Sequence, residues 1–517
     1  MSDLRDIGAI HSPFEWSGPP DYYFNGPYML SSYTWHEQGR LDINDAVWGD
    51  RRIGNEPRDA IFTRFMSNVL VRRSMGIEQL TLDPRYSTIP NTGHFSRFEH
   101  IWGSLIFARQ MIEKSPELQS LSEREKLIYE LRTFVSDLGH TAFSHLGDWI
   151  TQGFGGPENA HDDDLPKIME AGGGNAILRD FDIDPADVIF PKVKDWVEDK
   201  SPDLCVDRVD YGAREAKRWM YNGLAHTQLF TTPDAFKVQD GKLAMTSVRA
   251  AEEFFRAYSI LPTEHWQEPV HRAQLHLLES MVKRVITSRE LGPWWAEDNL
   301  HPRDALMSVD AEFRGNFMTT DPYLWTVEPL LRRIATAQRM IFAQQRAGQL
   351  QGYFSSDDKL RFKFPQPTKP YPYGFYTGRT LENPQVTIIP VDTQNDVTDF
   401  GENSSSVDVF LPSLKQREIN PLVVCKDGLK SLTEIIPEYQ GLLEQQKAVM
   451  QQAYVGRIYM NPKHAEIIKE GLVETNADFE HAMLHSQRLP EAELGRFIED
   501  TYWIERSSPI VKLHYQF

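Results

Sequence analysis

Cysteine is almost missing from this chain: there are two in 517 residues, Cys205 and Cys425, far apart in sequence. That excludes a disulfide scaffold and a cysteine-built zinc site, and it fits a reducing compartment. Also missing is any uninterrupted apolar run near the roughly 18 residues of a membrane-spanning helix. The opening residues, MSDLRDIGAIHSPFEW, lack a basic start followed by an apolar core. No signal peptide is therefore expected, and the expected location is cytoplasmic. Basic residues are outnumbered, 55 Lys and Arg against 74 Asp and Glu, for a formal charge of −19. A surface of that sign argues against broad nucleic-acid binding, which needs cations along the phosphates, but leaves room for a local basic pocket. No internal repeat is visible. GGGN at 172–175 has neither the lysine nor the spacing of a phosphate-binding loop.

What remains is the composition of an ordinary globular protein, 40% hydrophobic and 25% charged. The length suggests roughly two to four domains. Residues 1–44 are rich in proline, glycine and aromatics with little periodicity, which predicts an irregular arm. From Asp45 the pattern turns helical, with Phe62, Phe65, Met66, Val69 and Leu70 at three-to-four spacing. A proline- and glycine-marked loop leads into a helix that begins near Arg97 and stops before Pro116. Ser122 and Glu125 form a capping box for the next helix, whose apolar stripe runs from Leu127 to Leu138 and ends at Gly139. Further helices are predicted over 201–221, 271–286 and 327–345. Beyond residue 350 the chain becomes proline- and aromatic-rich, with VTIIPV and VDVFLP reading as strands and helices near 434–450 and 463–472. The expected fold class is mainly α, with a helical body over 45–350 and a smaller mixed α/β region over 351–517.

Polar residues gather in one part of this body. His100 starts one helix, Asp137 ends the next, and Asp207 lies on a third. Asp137 adjoins an apolar stripe, where an unpaired carboxylate is costly and calls for a cation. Two carboxylates and a histidine from separate helices can converge on a divalent ion that activates water for attack on phosphorus. Arg97 and Arg208 can hold phosphate oxygens, and nearby histidines can supply acid or base. Helical histidines are also ordinary core residues, so spacing alone leaves the structural alternative open.

The strings RFEH, DLGHTAFSH and VDRVDYGAR, in that order and preceded by VRRSMGIEQL, resemble those of the HD-domain phosphohydrolases. The likeness covers roughly Asp45 to Asp310 and is strongest to the deoxynucleoside triphosphate triphosphohydrolase branch. It implies an HD-type helical bundle, a nucleotide substrate and a homo-oligomer. It also implies metal ligands at His100, Asp137 and Asp207, catalytic roles for His140, His145 and Asp148, and substrate contacts from Arg97, Arg208 and Tyr211. His161 is a further match in a loop that aligns poorly. One position departs from the pattern: where the family has a His-Asp pair, this chain has Ser136-Asp137. A hydroxyl is a poorer ligand than imidazole for iron, zinc or nickel. The remaining oxygen-rich set favours Mg²⁺ or Mn²⁺, with Fe, Zn or Ni as alternatives. Three readings follow from Ser136: a metal-dependent phosphohydrolase that tolerates the change, a catalytically inactive scaffold that binds a nucleotide or a protein partner, or a pocket with different chemistry.

Overall fold

The computed structural model describes residues 22–24, 31–36, 39–79, 95–148, 160–189, 195–219, 227–261, 374–377, 385–387, 406–408, 418–444 and 457–460. The helices expected over 271–286, 327–345 and 463–472 lie outside them. The first structured unit is an antiparallel meander of β1 (Tyr22–Phe24), β2 (Ser32–His36), β3 (Arg40–Asp45) and β4 (Gly49–Ile53). Among the described residues this corrects the expected irregular arm at 22–24, 32–36 and 40–44, which form strands, and the helical onset at Asp45, which ends β3. Along β3 the inward positions are Leu41, Ile43 and Asp45, the alternation of a half-buried strand. That pattern is short, and it ends on a buried acid rather than an apolar residue, so it reads poorly as a strand.

The helical body follows. α1 (Asp59–Met66) and α2 (Val69–Ser74) precede α3 (Arg97–Lys114), and short α4 (Pro116–Gln119) leads to α5 (Glu123–Val135). Ser96 and Glu99 form a capping box at the start of α3, and the expected Ser122–Glu125 box opens α5. α3 is the central helix, with every residue from Arg97 to Ile112 buried. Phe98, Trp102 and Phe134 interlock edge to face, with ring centroids 6.0 Å apart between Phe98 and Trp102 and 4.9 Å between Trp102 and Phe134. α3 packs against both α5 and α6 (Val206–Trp219), and α6 packs in turn on α7 (Val248–Ile260). Helix α6 starts at Val206 rather than at the expected Ser201. The carbonyls of Pro202 and Asp203, which a longer helix would use internally, instead accept from the Asn420 amide and the Arg208 guanidinium.

The 418–444 stretch belongs to this body. β5 (Phe236–Gln239) and β6 (Lys242–Met245) form a hairpin. β10 (Leu422–Cys425) adds to β6 in parallel, with Val423 opposite Met245, and β11 (Gly428–Ser431) completes the sheet. Tyr439 is fully buried against Phe255, its hydroxyl donating to Glu252 and accepting from Arg256. A second antiparallel sheet has the order β8 (Gln385–Thr387), β7 (Gly374–Thr377), β12 (Arg457–Met460), β9 (Ser406–Asp408), matching the expected mixed α/β character of the C-terminal region.

Candidate metal centre and histidine cluster

The start of α3, the turn after α5 and the start of α6 meet at one point. Asp137 lies on a single 3-10 turn, Ser136–Gly139, that follows α5. Arg73 of α2 holds this turn by donating to the carbonyls of Leu138 and His140, which gives the VRRSMGIEQL string a structural role. His100 Nε2 lies 2.9 Å from Asp207 Oδ1 and 3.3 Å from Asp137 Oδ2. Its other nitrogen, Nδ1, is 2.7 Å from Asp210 Oδ2. One ligand atom from each of His100, Asp137 and Asp207 falls within 4.8 Å of the others, a spacing that can hold a metal ion. The donor chemistry fits as well: one imidazole with its far side anchored on a carboxylate, and two carboxylates, suit a divalent cation.

Electrostatics at this point are strong. Burial disfavours a charged His100, but Asp137, Asp207 and Asp210 overcome it and push the ring up to about 10. Burial likewise pushes Asp137 up, and Arg97 and His100 reverse it, holding the carboxyl below the ordinary range. Arg97 Nη1 lies 2.5 Å from Asp137 Oδ2, and its Nη2 lies 2.5 Å from Ser144 Oγ. Ser136 does not join the group: its hydroxyl turns back and donates to the Thr133 carbonyl at 3.1 Å.

A second cluster sits beside the first. His140, His145, Asp148 and His161 also place one ligand atom each within 4.8 Å of one another. The His140 and His161 rings stack at 3.9 Å with 13° between their planes. Two parallel stacked rings do not both aim in-plane lone pairs at a single ion, which disfavours its coordination by His140 and His161 together. Asp148 Oδ2 takes His161 Nδ1 at 2.6 Å and His145 Nδ1 at 3.3 Å. Burial pushes His161 down, but Asp148 outweighs it and raises the ring above its ordinary value. Burial and the positive charges of Arg97, His161 and His145 hold His140 well below the ordinary histidine value. Its Nδ1 is buried without a hydrogen-bond partner among the described residues. His145 is lowered too, chiefly by burial, although 34% of its side chain reaches solvent.

Local backbone explains how these side chains reach one place. Phe143 and Ser144 both adopt left-handed conformations, φ 61° and 56°, which non-glycine residues rarely do and which turn the chain sharply before His145. Gly139 has no substitute: a Cβ there would lie 2.0 Å from the His161 carbonyl oxygen, so only glycine lets the His161 segment close over the turn.

The predicted residues therefore divide. His100, Asp137 and Asp207 come together, Arg97 joins them through Asp137, and His140, His145 and Asp148 form the neighbouring cluster with His161. Tyr211 stands with its ring 6.5 Å from that of His100 and its hydroxyl 2.5 Å from that of Tyr258. Arg208 is turned onto the carbonyls of Asp199 and Asp203. Sequence reasoning gave no role to Asp210, Arg214, Trp48 or Tyr258. For Asp210 the position three residues after Asp207 on one helix was the available signal.

No family model matches the chain. It is similar to the uncharacterised protein YdhJ of Bacillus subtilis, 22% identical over 271 residues that span 52% of this chain and 75% of that protein. It is also similar to the deoxynucleoside triphosphate triphosphohydrolase SAMHD1 of Bos taurus, 28% identical over 192 residues, 35% of this chain and 29% of that one. The Mus musculus SAMHD1 matches at 32% over 124 residues, 23% of this chain and 18% of that one. The similarity to both triphosphohydrolases thus spans less than a third of their length. Among solved structures, a hypothetical protein of Aquifex aeolicus gives a TM-score of 0.48 at 17% identity, covering 83% of this chain and 98% of that one. A phosphohydrolase of Bacteroides thetaiotaomicron gives 0.46 at 16%, covering 81% and 98%. With the motif strings in order and their residues converging in space, the chain is a relative of the HD-domain phosphohydrolases.

Proposed function

We propose that this protein is a divalent-metal-dependent phosphohydrolase of nucleotides, with a deoxynucleoside triphosphate as its substrate class. The observation that carries this reading is the convergence of His100, Asp137 and Asp207 from three elements, directly beside a histidine–aspartate cluster. The similarity to proteins named deoxynucleoside triphosphate triphosphohydrolase supports the substrate class. His100, Asp137 and Asp207 hold the metal, and the oxygen-rich set favours Mn²⁺ or Mg²⁺. When bound, such an ion polarises a phosphoryl oxygen and makes water a stronger nucleophile.

The chain's own groups supply the rest. Arg97 is buried with its guanidinium between Asp137 and Ser144, where a phosphate oxygen can replace one of those acceptors in a charge-assisted pair. Asp148 fixes His145 by its Nδ1, leaving Nε2 for proton transfer. Burial and the nearby positive charges of Arg97 and His161 disfavour a charged His145. The negative charge of an arriving triphosphate raises its affinity for a proton and readies it to protonate the leaving oxygen. Tyr211, whose ring stands 6.5 Å from that of His100, packs against the sugar in this reading.

Hydrolysis of a panel of deoxynucleotides and ribonucleotides with Mn²⁺, Mg²⁺ or Fe²⁺ tests this. The expected result is phosphate-containing product from deoxynucleoside triphosphates, reduced by at least about 10²-fold in His145→Gln, the scale of a lost general acid. The turned-back Ser136 hydroxyl favours a second reading, an inactive nucleotide-binding scaffold. Nucleotide binding without turnover under any ion would select it.

A further inference from the structure

His100 owes its orientation to groups outside the metal triad. Asp210 is fully buried, and its two oxygens accept from three side chains: His100 Nδ1 at 2.7 Å and Arg214 Nε at 2.8 Å on Oδ2, and Trp48 Nε1 at 2.5 Å on Oδ1. Arg214, itself without exposure, reaches on through Nη2 to Asp45 Oδ2 at 2.6 Å. Asp45 Oδ1 in turn accepts the backbone N–H groups of Val47 and Trp48, each at 2.9 Å, so the acid that anchors Arg214 also shapes the turn that presents the Trp48 indole. Helix α3 makes room for this chain of contacts at Gly103, where a Cβ would lie 1.6 Å from Arg214 Nη2 and 2.5 Å from Asp210 Oδ1.

Burying two carboxylates and a guanidinium is expensive even when they are paired, and an apolar filling of similar volume is often as stable. What the arrangement does accomplish is to give His100 one fixed acceptor at Nδ1, while Nε2 faces Asp207 and Asp137. An imidazole that donates Nδ1–H to a carboxylate presents its Nε2 lone pair in one tautomer and one direction.

We propose that Asp210 is the positioning residue of the metal centre, and that Arg214, Asp45 and Trp48 extend its support into the N-terminal sheet. Residues 31–53 are then part of the centre's framework, although none of them is a ligand. The inference rests on the metal-site reading above and adds to it the group that sets ligand geometry.

The test is Co²⁺ and Mn²⁺ binding to the full chain by competition titration, with the visible spectrum of the Co²⁺ form. Asp210→Asn keeps size but removes the charge and turns one of the two acceptor oxygens into a donor NH₂, so the acceptors for His100, Arg214 and Trp48 cannot all be kept. Its affinity for both ions should fall by about 10–100-fold, the usual effect of losing such support, and its Co²⁺ spectrum should change. Trp48→Phe should move both readouts the same way by less, and it carries the test if Asp210→Asn does not fold. Wild-type affinity and spectrum in the folded variants would overturn the positioning role while leaving the metal site standing. A wild-type chain that binds neither ion would overturn both.

Discussion

Ser136 is where this chain leaves the family pattern, and its environment says what the change does. The residue is half-buried on the 3-10 turn, and its hydroxyl is spent on the Thr133 carbonyl, so it adds no ligand to the cluster one residue away. Replacing it with histidine, Ser136→His, should restore a nitrogen donor and tighten Fe²⁺ or Zn²⁺ binding by about tenfold or more, roughly 1.4 kcal/mol. Isothermal titration would measure it. Unchanged affinity would mean that position 136 does not face the ion. The three residues that meet in that cluster were legible because each sits in a short string with its own identity: RFEH, SDLGH and VDRVDY. Asp210 was visible but mute. Its meaning lies in partners 110 and 162 positions away, His100 and Trp48, and local spacing carries no trace of them. His161 was half-legible, since its residue type matched while the glycine-rich loop before it gave no fixed register.

Among the elements, α3 could be read as a buried helix but not as a polar spine. Its apolar residues gave the helix. Its charged residues are inside too: Arg97, Glu99, His100 and Arg109 are all buried, and sequence reasoning assigned a role only to Arg97 and His100. Arg109 shows why that is tolerated: it bridges Asp59 at 2.7 Å and Glu130 at 2.9 Å, tying α3 to α1 and α5. Asp59 Oδ2 also accepts three backbone N–H groups, from Gly54, Asn55 and Glu56, and so joins β4 to α1. Burial pushes the Asp59 carboxyl up, but Arg109 and those amides outweigh it and hold it below its ordinary value. Stability from this lowered group is full above about pH 4 and is lost as pH falls through its folded value. Asp59→Asn should cost about 3–5 kcal/mol at neutral pH and flatten the acid limb of urea stability. An unchanged acid limb would refute the assignment. The N-terminal strands escaped the sequence reading for a related reason. Asp45 faces inward to meet Arg214, and a charged residue at a buried strand position breaks the alternation on which strand recognition depends.

At the scale of the molecule, the helical class was legible and the placement of the C-terminal stretch was not. A boundary near residue 350 follows the change in composition, but residues 418–444 return to the body. They pair β10 with β6 and bury Tyr439 against α7. Pairing between Val423 and Met245 is a non-local choice that no window of sequence expresses. The acidic charge of −19 is likewise a whole-molecule property that says little about the centre, where Arg97 and His100 face three aspartates. No described helix is long and apolar enough to cross a membrane. The central claim is that His100, Asp137 and Asp207 hold one divalent ion. Its most direct test is the metal stoichiometry of the purified chain after loading with Mn²⁺, compared with Asp137→Ala and Asp207→Ala. The account predicts about one ion per chain in the wild type and loss of it in both variants. An ion retained in both variants, or none in the wild type, would contradict it.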